Sequence, residues 1–252
     1  MIDFNKCIEL FNEYIKNYDK KEFNIKLKID HTFRVVNFCE KIAKSLNLSE
    51  EDIVLAKVIG LLHDIGRFEQ FTKYRTFSDI KSIDHASLGI EILKENNYIS
   101  KYVEDIELQK VVLIAVDNHN KIKIEDNLNK IYLLFSKIVR DADKLDILDL
   151  YKIGDLKIDE TEGVISDKVY FSIINELIIN KNDCINKIDF DLVSASYIYD
   201  FNFGYSYIYI SENNSIIWII DELIKYCKTE VNKLNEIKEK INNYMEKRKF
   251  IC

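Results

Sequence analysis

The chain contains no proline and only 6 glycines in 252 residues. Sandwiches and barrels of short strands need a turn every few residues, so this scarcity excludes them and favours helices. Cysteine is sparse too: Cys7, Cys39, Cys184, Cys227 and Cys252 are odd in number and form no C-x-x-C pair. That argues against a disulfide framework or a cysteine zinc site and for a reducing compartment. Apolar runs of bilayer length are missing, the longest being short stretches such as residues 111–116. The opening MIDFNKCIELFNEY carries Asp3 and Glu9 where a secretory leader has a basic and then an apolar stretch. A soluble, cytoplasmic protein without a membrane partner is the expectation. Excess positive charge is also absent: Lys+Arg 36 against Asp+Glu 43 leaves a net charge of −7. Non-specific nucleic-acid binding needs a basic surface and is not expected.

With 47% hydrophobic and 31% charged residues the chain can build a packed interior, which excludes global disorder. The apolar spacing is helical almost throughout. An amphipathic stretch runs from Phe4 to Tyr18. His31, Val35, Phe38, Ile42 and Leu46 then share one helical face. Ser49 and Asp52 read as a capping box opening VLAKVIGLLHD, with Gly66 as its terminator. Residues 69–82 lack periodicity and read as a loop, in which Lys73, Tyr74 and Arg75 suit either a lid or a solvated surface. Further helices are predicted from near Asp84, over Lys101–Asn118 and over Leu128–Leu150, the last apolar nearly all round. The polar stretch GDLKIDETEG (154–163) is the best boundary. GYSYIYIS (204–211) alternates like a strand but suits a helix-packing seam as well.

All four histidines, His31, His63, His85 and His119, fall within residues 31–119. Asp64 follows His63 at the end of an apolar run. A neutral imidazole and an ionised carboxylate projecting from one helix end are ligands for borderline and hard divalent metals. Asp141, Asp143 and Asp146 interrupt an otherwise apolar helix in VRDADKLDIL. Carboxylates do not stay buried there unpaired, so metal or hydrogen-bond partners are expected.

In the order His31, His63-Asp64, Asp143, with flanks LLHDIGR and ADKLD, the sequence resembles the HD-domain superfamily of metal-dependent phosphohydrolases over roughly residues 25–150. His85 in SIDHASLGIEIL and His119 in DNHNK stand where dinuclear branches place theirs. The resemblance implies an all-α HD-type helical bundle; with the boundary at 154–163 this gives a core over residues 1–153, and the helical pattern beyond it gives a C-terminal extension, 154–252, packed on that core. It implies a basic metal set of His31, His63, Asp64 and Asp143, with Asp64 bridging two ions and His85 and His119 completing the second. The cofactor expected is a pair of divalent transition ions, whether Mn, Fe, Co, Ni or Zn. Arg67 stands where family phosphodiesterases carry a phosphate-holding basic residue, and Lys144 is a second phosphate contact. The implied reaction is in-line attack of metal-activated water on the phosphate ester of a small or nucleotide-like substrate.

The sequence departs from parts of that family. It has no GYP signature of the cyclic-di-GMP phosphodiesterases and no long basic insertions of the large dNTP triphosphohydrolases. A mononuclear nucleotidase has no need of His85 and His119. A smaller branch uses the same ligands for a mixed-valence di-iron oxygenase, and a non-catalytic metal-containing binding protein is a third reading. Simpler roles stay open for individual residues. Arg67 suits a helix C-terminal cation, Asp141 a partner of Arg140 or a lysine, Lys144 a surface position, and His119 a polar helix end. The tyrosine-rich C-terminal part is read as core and interface packing, including against a second copy in a homodimer.

Overall fold

The computed structural model describes residues 2–158, 163–227 and 229–249. It is built from helices, with no strand among the described residues. The α-helices are α1 (Phe4–Tyr14), α2 (Phe23–Ser45), α3 (Glu50–Leu62), α4 (Ile65–Tyr74), α5 (His85–Lys94) and α6 (Ile106–Asn118). They continue as α7 (Lys130–Ile153), α8 (Asp167–Ile174), α9 (Lys187–Ala195), α10 (Gly204–Asn213), α11 (Ser215–Tyr226) and α12 (Val231–Lys249). Two compact units comprise residues 1–143 and 144–252, and the division falls inside α7. No described helix is long and apolar enough to cross a membrane.

In the first unit α2 packs on α3 and α4, α5 on α4 and α6, and α3 on α6. The predicted α2 face is the buried one: His31, Val35, Phe38 and Ile42 are all inside. Ser49 caps α3 as expected, accepting from the Asp52 N–H at 3.2 Å while its hydroxyl donates to Asp52 Oδ2 at 2.7 Å. Gly66 does not terminate that helix. The chain breaks at His63-Asp64, and α4 begins at once with Gly66 in its first turn. A Cβ there would lie 2.3 Å from the His85 carbonyl oxygen and 2.7 Å from the Gly89 nitrogen. Glycine here permits two helix backbones to touch, a use that a terminator reading overlooks.

The loop expected over residues 69–82 is shorter. Residues 69–74 belong to α4, whose buried Ile65, Phe68 and Phe71 recur at intervals of three. Lys73 and Tyr74 occupy its last turn, and Arg75 closes it in the left-handed region at φ 55°. The helix predicted from Lys101 starts at Ile106, where the Asp105 carboxylate accepts from the N–H groups of Glu107 and Leu108.

The second unit packs α11 on α9 and α12, with α8 and α10 also against α12. Its core is aliphatic, including Ile216, Ile219, Ile220, Leu223, Leu234, Ile237 and Ile241. GYSYIYIS is helical, not a strand: it lies in α10, where Tyr205 and Tyr209 stack one turn apart with ring centroids at 6.1 Å. Within the polar stretch 154–163, residues 159–162 lie outside the described residues, as does Cys252. The other four cysteines are free thiols.

Candidate metal centre

Each candidate ligand sits at a position that limits its freedom. His31 is in the middle of α2, His63 and Asp64 occupy the break between α3 and α4, His85 is the first residue of α5, and His119 caps the end of α6. Asp143 comes from within α7. The four imidazoles and Asp64 are each at most 4% exposed.

Asp64 stands at the centre, and its two oxygens face different partners. Oδ2 lies 3.4 Å from His31 Nε2 and 3.6 Å from His63 Nε2, while Asp143 Oδ1 approaches the same nitrogens at 3.2 and 3.7 Å. Oδ1 lies 3.2 Å from His85 Nε2 and 3.6 Å from His119 Nε2. Two groups able to hold a metal, His31/His63/Asp64 and Asp64/His85/His119, therefore share one carboxylate. Ligands set at right angles on one ion, with bonds of about 2.1 Å, stand about 3 Å apart. The observed spacings match that arrangement.

The hydrogen bonds fix which nitrogen faces inward. His63 Nδ1 donates to the Gly60 carbonyl at 2.7 Å and His119 Nδ1 to the Val116 carbonyl at 2.6 Å. His85 Nδ1 donates to the Asp79 carboxylate at 2.8 and 2.9 Å. A carbonyl can only accept, so Nδ1 of His63 and His119 carries a proton and Nε2 is the atom turned toward the carboxylates. Burial, aided by Arg67, lowers the His85 pKa against the opposing pull of Asp64 and Asp79 and favours the neutral ring. The Nε2 atoms of His85 and His119 are 2.9 Å apart, and those of His31 and His63 3.2 Å apart. Imidazole nitrogens this close to one another, with carboxylate oxygens beside them, suit a cation that both can bind. The donor set fits divalent metal.

The carboxylates are prepared for the same charge. Burial pushes Asp64 up, but Lys28 first and then His63, His119 and His31 outweigh it and hold its carboxyl well below the usual range. Burial likewise raises Asp143, and His31 and His63 reverse the effect. Lys28 Nζ meets Asp64 Oδ2 at 2.6 Å.

Arg67 sits beside the second group. Its NH1 donates to Gln70 Oε1, the Phe77 carbonyl and Asp79 Oδ1 at 2.6–2.8 Å, tying residues 77–79 to α4. Its buried Nε makes no hydrogen bond and lies 3.5 Å from Asp64 Oδ1. Lys144 pairs with Asp200 Oδ2 at 2.6 Å and stands over the Tyr197 ring.

Three supports were absent from the sequence reading. Lys28 precedes His31 by three residues, so helical spacing places it on the His31 face. Asp79 lies in a segment without periodicity and carries no such signal. Arg140, considered only as a partner for Asp141, is buried with NH1 on the carbonyls of Asn118, His119 and Lys121 at 2.5–3.2 Å. It therefore holds the α6 end that carries His119 and complements that helix terminus.

Residues 29–148 match the family model of the HD domain. Among curated proteins, Ribonuclease Y 1 of Pediococcus pentosaceus is 31% identical over 101 residues. That match covers 37% of this chain and 17% of the relative, so the chain spans well under two thirds of the relative's length. No solved structure gives a significant match.

Proposed function

We propose that the protein is a metal-dependent phosphohydrolase acting on a small or nucleotide-like phosphate ester. His31, His63, Asp64 and Asp143 would hold one divalent ion, and Asp64, His85 and His119 a second. The observation that carries the reading is the division of the Asp64 oxygens between two pairs of Nε2 atoms. Bound in this way, two divalent cations supply activated water near neutral pH and offset charge developing on the phosphoryl oxygens.

The chain's own residues serve that chemistry in distinct ways. Asp64 and Asp143 are kept ionised and His85 neutral, the protonation states of ligands. Arg67 is anchored through NH1, which leaves its unpartnered Nε to donate to a phosphoryl oxygen on the Asp64 Oδ1 side. Lys144, the other contact in this reading, has to exchange its Asp200 ion pair for substrate. With both ions present, Asp64, Asp79 and Asp143 set against Lys28 and Arg67 leave the site net positive. That suits an anionic ester better than an uncharged molecule awaiting oxidation.

The HD domain and the similarity to a protein named a ribonuclease support phosphohydrolase chemistry at the level of the family. The net charge of −7 supports a small substrate over non-specific binding of RNA. The test is metal content per chain on protein purified without chelator, combined with hydrolysis of p-nitrophenyl phosphate, bis(p-nitrophenyl) phosphate and a short oligoribonucleotide. About two ions per chain and chelator-sensitive hydrolysis of at least one ester without oxygen are expected. Two irons with oxygen consumption and no hydrolysis would replace the reading with the oxygenase. Metal without any turnover would leave a binding protein.

A further inference from the structure

Lys28 and Arg67 both face the candidate ligand Asp64, Lys28 at Oδ2 and Arg67 at Oδ1, and the Lys28 approach is the closer. Lys28 Nζ is 2.6 Å from Asp64 Oδ2, the oxygen that faces His31 and His63, and its side chain is 16% exposed. Its other recorded contact is with the Phe77 ring, at 5.5 Å from the centroid. Arg67 approaches the same ring at 5.8 Å, but its NH1 is committed to three acceptors. Among the described residues the Lys28 ammonium has one such acceptor, Asp64. The ammonium lies against the Asp64 oxygen that would hold a divalent ion, and offers it a single positive charge.

We propose that Lys28 alternates between Asp64 and the substrate: it neutralises Asp64 while the first metal position is empty, and it turns to the phosphoryl group once an ion takes that oxygen. This inference rests on the phosphohydrolase reading and adds to it a residue for the His31/His63/Asp143 half, where Arg67 serves the other. A divalent ion on the same oxygen repels the ammonium and weakens its hold there, which frees the side chain to turn. The lysine side chain carries a compact point charge on a flexible four-carbon stem and can swing without moving α2. Partial burial against Phe77 strengthens its attraction for a phosphate dianion relative to a lysine in bulk water.

This alternation predicts effects of opposite sign for one substitution. In Lys28→Met, with volume and stem largely kept, metal-free protein should bind Mn²⁺ about tenfold more tightly because a competing charge is gone. The metal-loaded form should bind inorganic phosphate about tenfold more weakly, and Lys28→Arg should recover most of that loss. Both affinities are read by titration calorimetry, with circular dichroism confirming that the variants are folded. Unchanged phosphate binding by Lys28→Met, or weaker Mn²⁺ binding, overturns the proposal. If Lys28→Met does not fold, Lys28→Gln and Lys28→Arg carry the same comparison. A wild-type protein that binds Mn²⁺ but neither binds phosphate nor cleaves any of the esters overturns the parent reading instead, so the two failures are distinguishable.

Discussion

In residues 1–143 the carboxylates of buried Asp64 and of partly exposed Asp79 and Asp143 are surrounded by Lys28, Arg67 and histidines, which hold all three below the ordinary range against the cost of desolvation. In residues 144–252 the buried acids are treated differently. Asp189 accepts from Ser166 N and Oγ and from Ile185 N at 2.6–3.0 Å, a structural brace. Asp191, two residues on, is 7% exposed, has an Oδ2 without a hydrogen-bond partner, and is pushed up to about 6 by burial against a weaker pull from Lys187. One unit keeps buried charge ionised and gathers it at a point; the other braces one carboxylate and leaves its neighbour tending toward the neutral form. Ionised carboxylates concentrated among inward-facing imidazole nitrogens are costly without a cation, and that cost marks the first unit as the one built for metal.

The contrast breaks most completely at Asp64. Asp64→Ala removes the oxygens facing both imidazole pairs, so both ions should be lost from elemental analysis and hydrolysis should fall by about three orders of magnitude. Retention of two ions would sink the shared-carboxylate geometry. Gly66→Ala tests the backbone beneath the site. Its Cβ meets the His85 carbonyl and the Gly89 nitrogen, neither of which can yield, so a loss of about 3 kcal/mol in urea unfolding is expected. Asp79→Asn separates the two halves. It loosens the bond that orients His85 and should weaken the second ion about 10- to 100-fold while leaving the first unchanged, which widens the gap between the two steps of a metal titration relative to the wild type. Equal weakening of both ions would mean that Asp79 acts through the fold and not through His85.

Much of this site was legible because its residues announce themselves twice. His31 lies on an apolar helical face, His63-Asp64 ends an apolar run, and Asp143 interrupts an apolar helix, so each violates the local pattern in a way that only a shared partner relieves. The supports were not legible for an equally physical reason. Asp79 acts from a segment without periodicity, Arg140 acts through backbone carbonyls that have no sequence identity, and Lys28 looks like any other lysine of a Lys-rich chain. At the level of fold, the helical class followed from the missing turn formers, whereas the fate of Gly66 depended on which backbone lay opposite it. Alternating tyrosines in residues 204–211 carried both periods, and tertiary packing chose the helix.

The smallest expected effect tests the other side of the comparison. Because the folded pKa of Asp191 is raised to about 6, its folded and unfolded forms are equally protonated below the ordinary carboxylate pKa, and its burial costs little there. As the pH climbs from about 4 to 6 the unfolded chain ionises first, so stability attributable to this residue is lost with rising pH, by about 2 kcal/mol at neutrality. The lowered carboxylates of the first unit act in the opposite sense, contributing stability at neutral pH that is lost as the pH falls. Asp191→Asn, which keeps shape and removes the charge, should therefore match the wild type near pH 4 and exceed it by about 2 kcal/mol at pH 7. Urea midpoints measured across that range decide it. Parallel curves for the two proteins would show that Asp191 is ionised in the folded state with a partner of its own, and the contrast between the units would then reduce to the metal site alone.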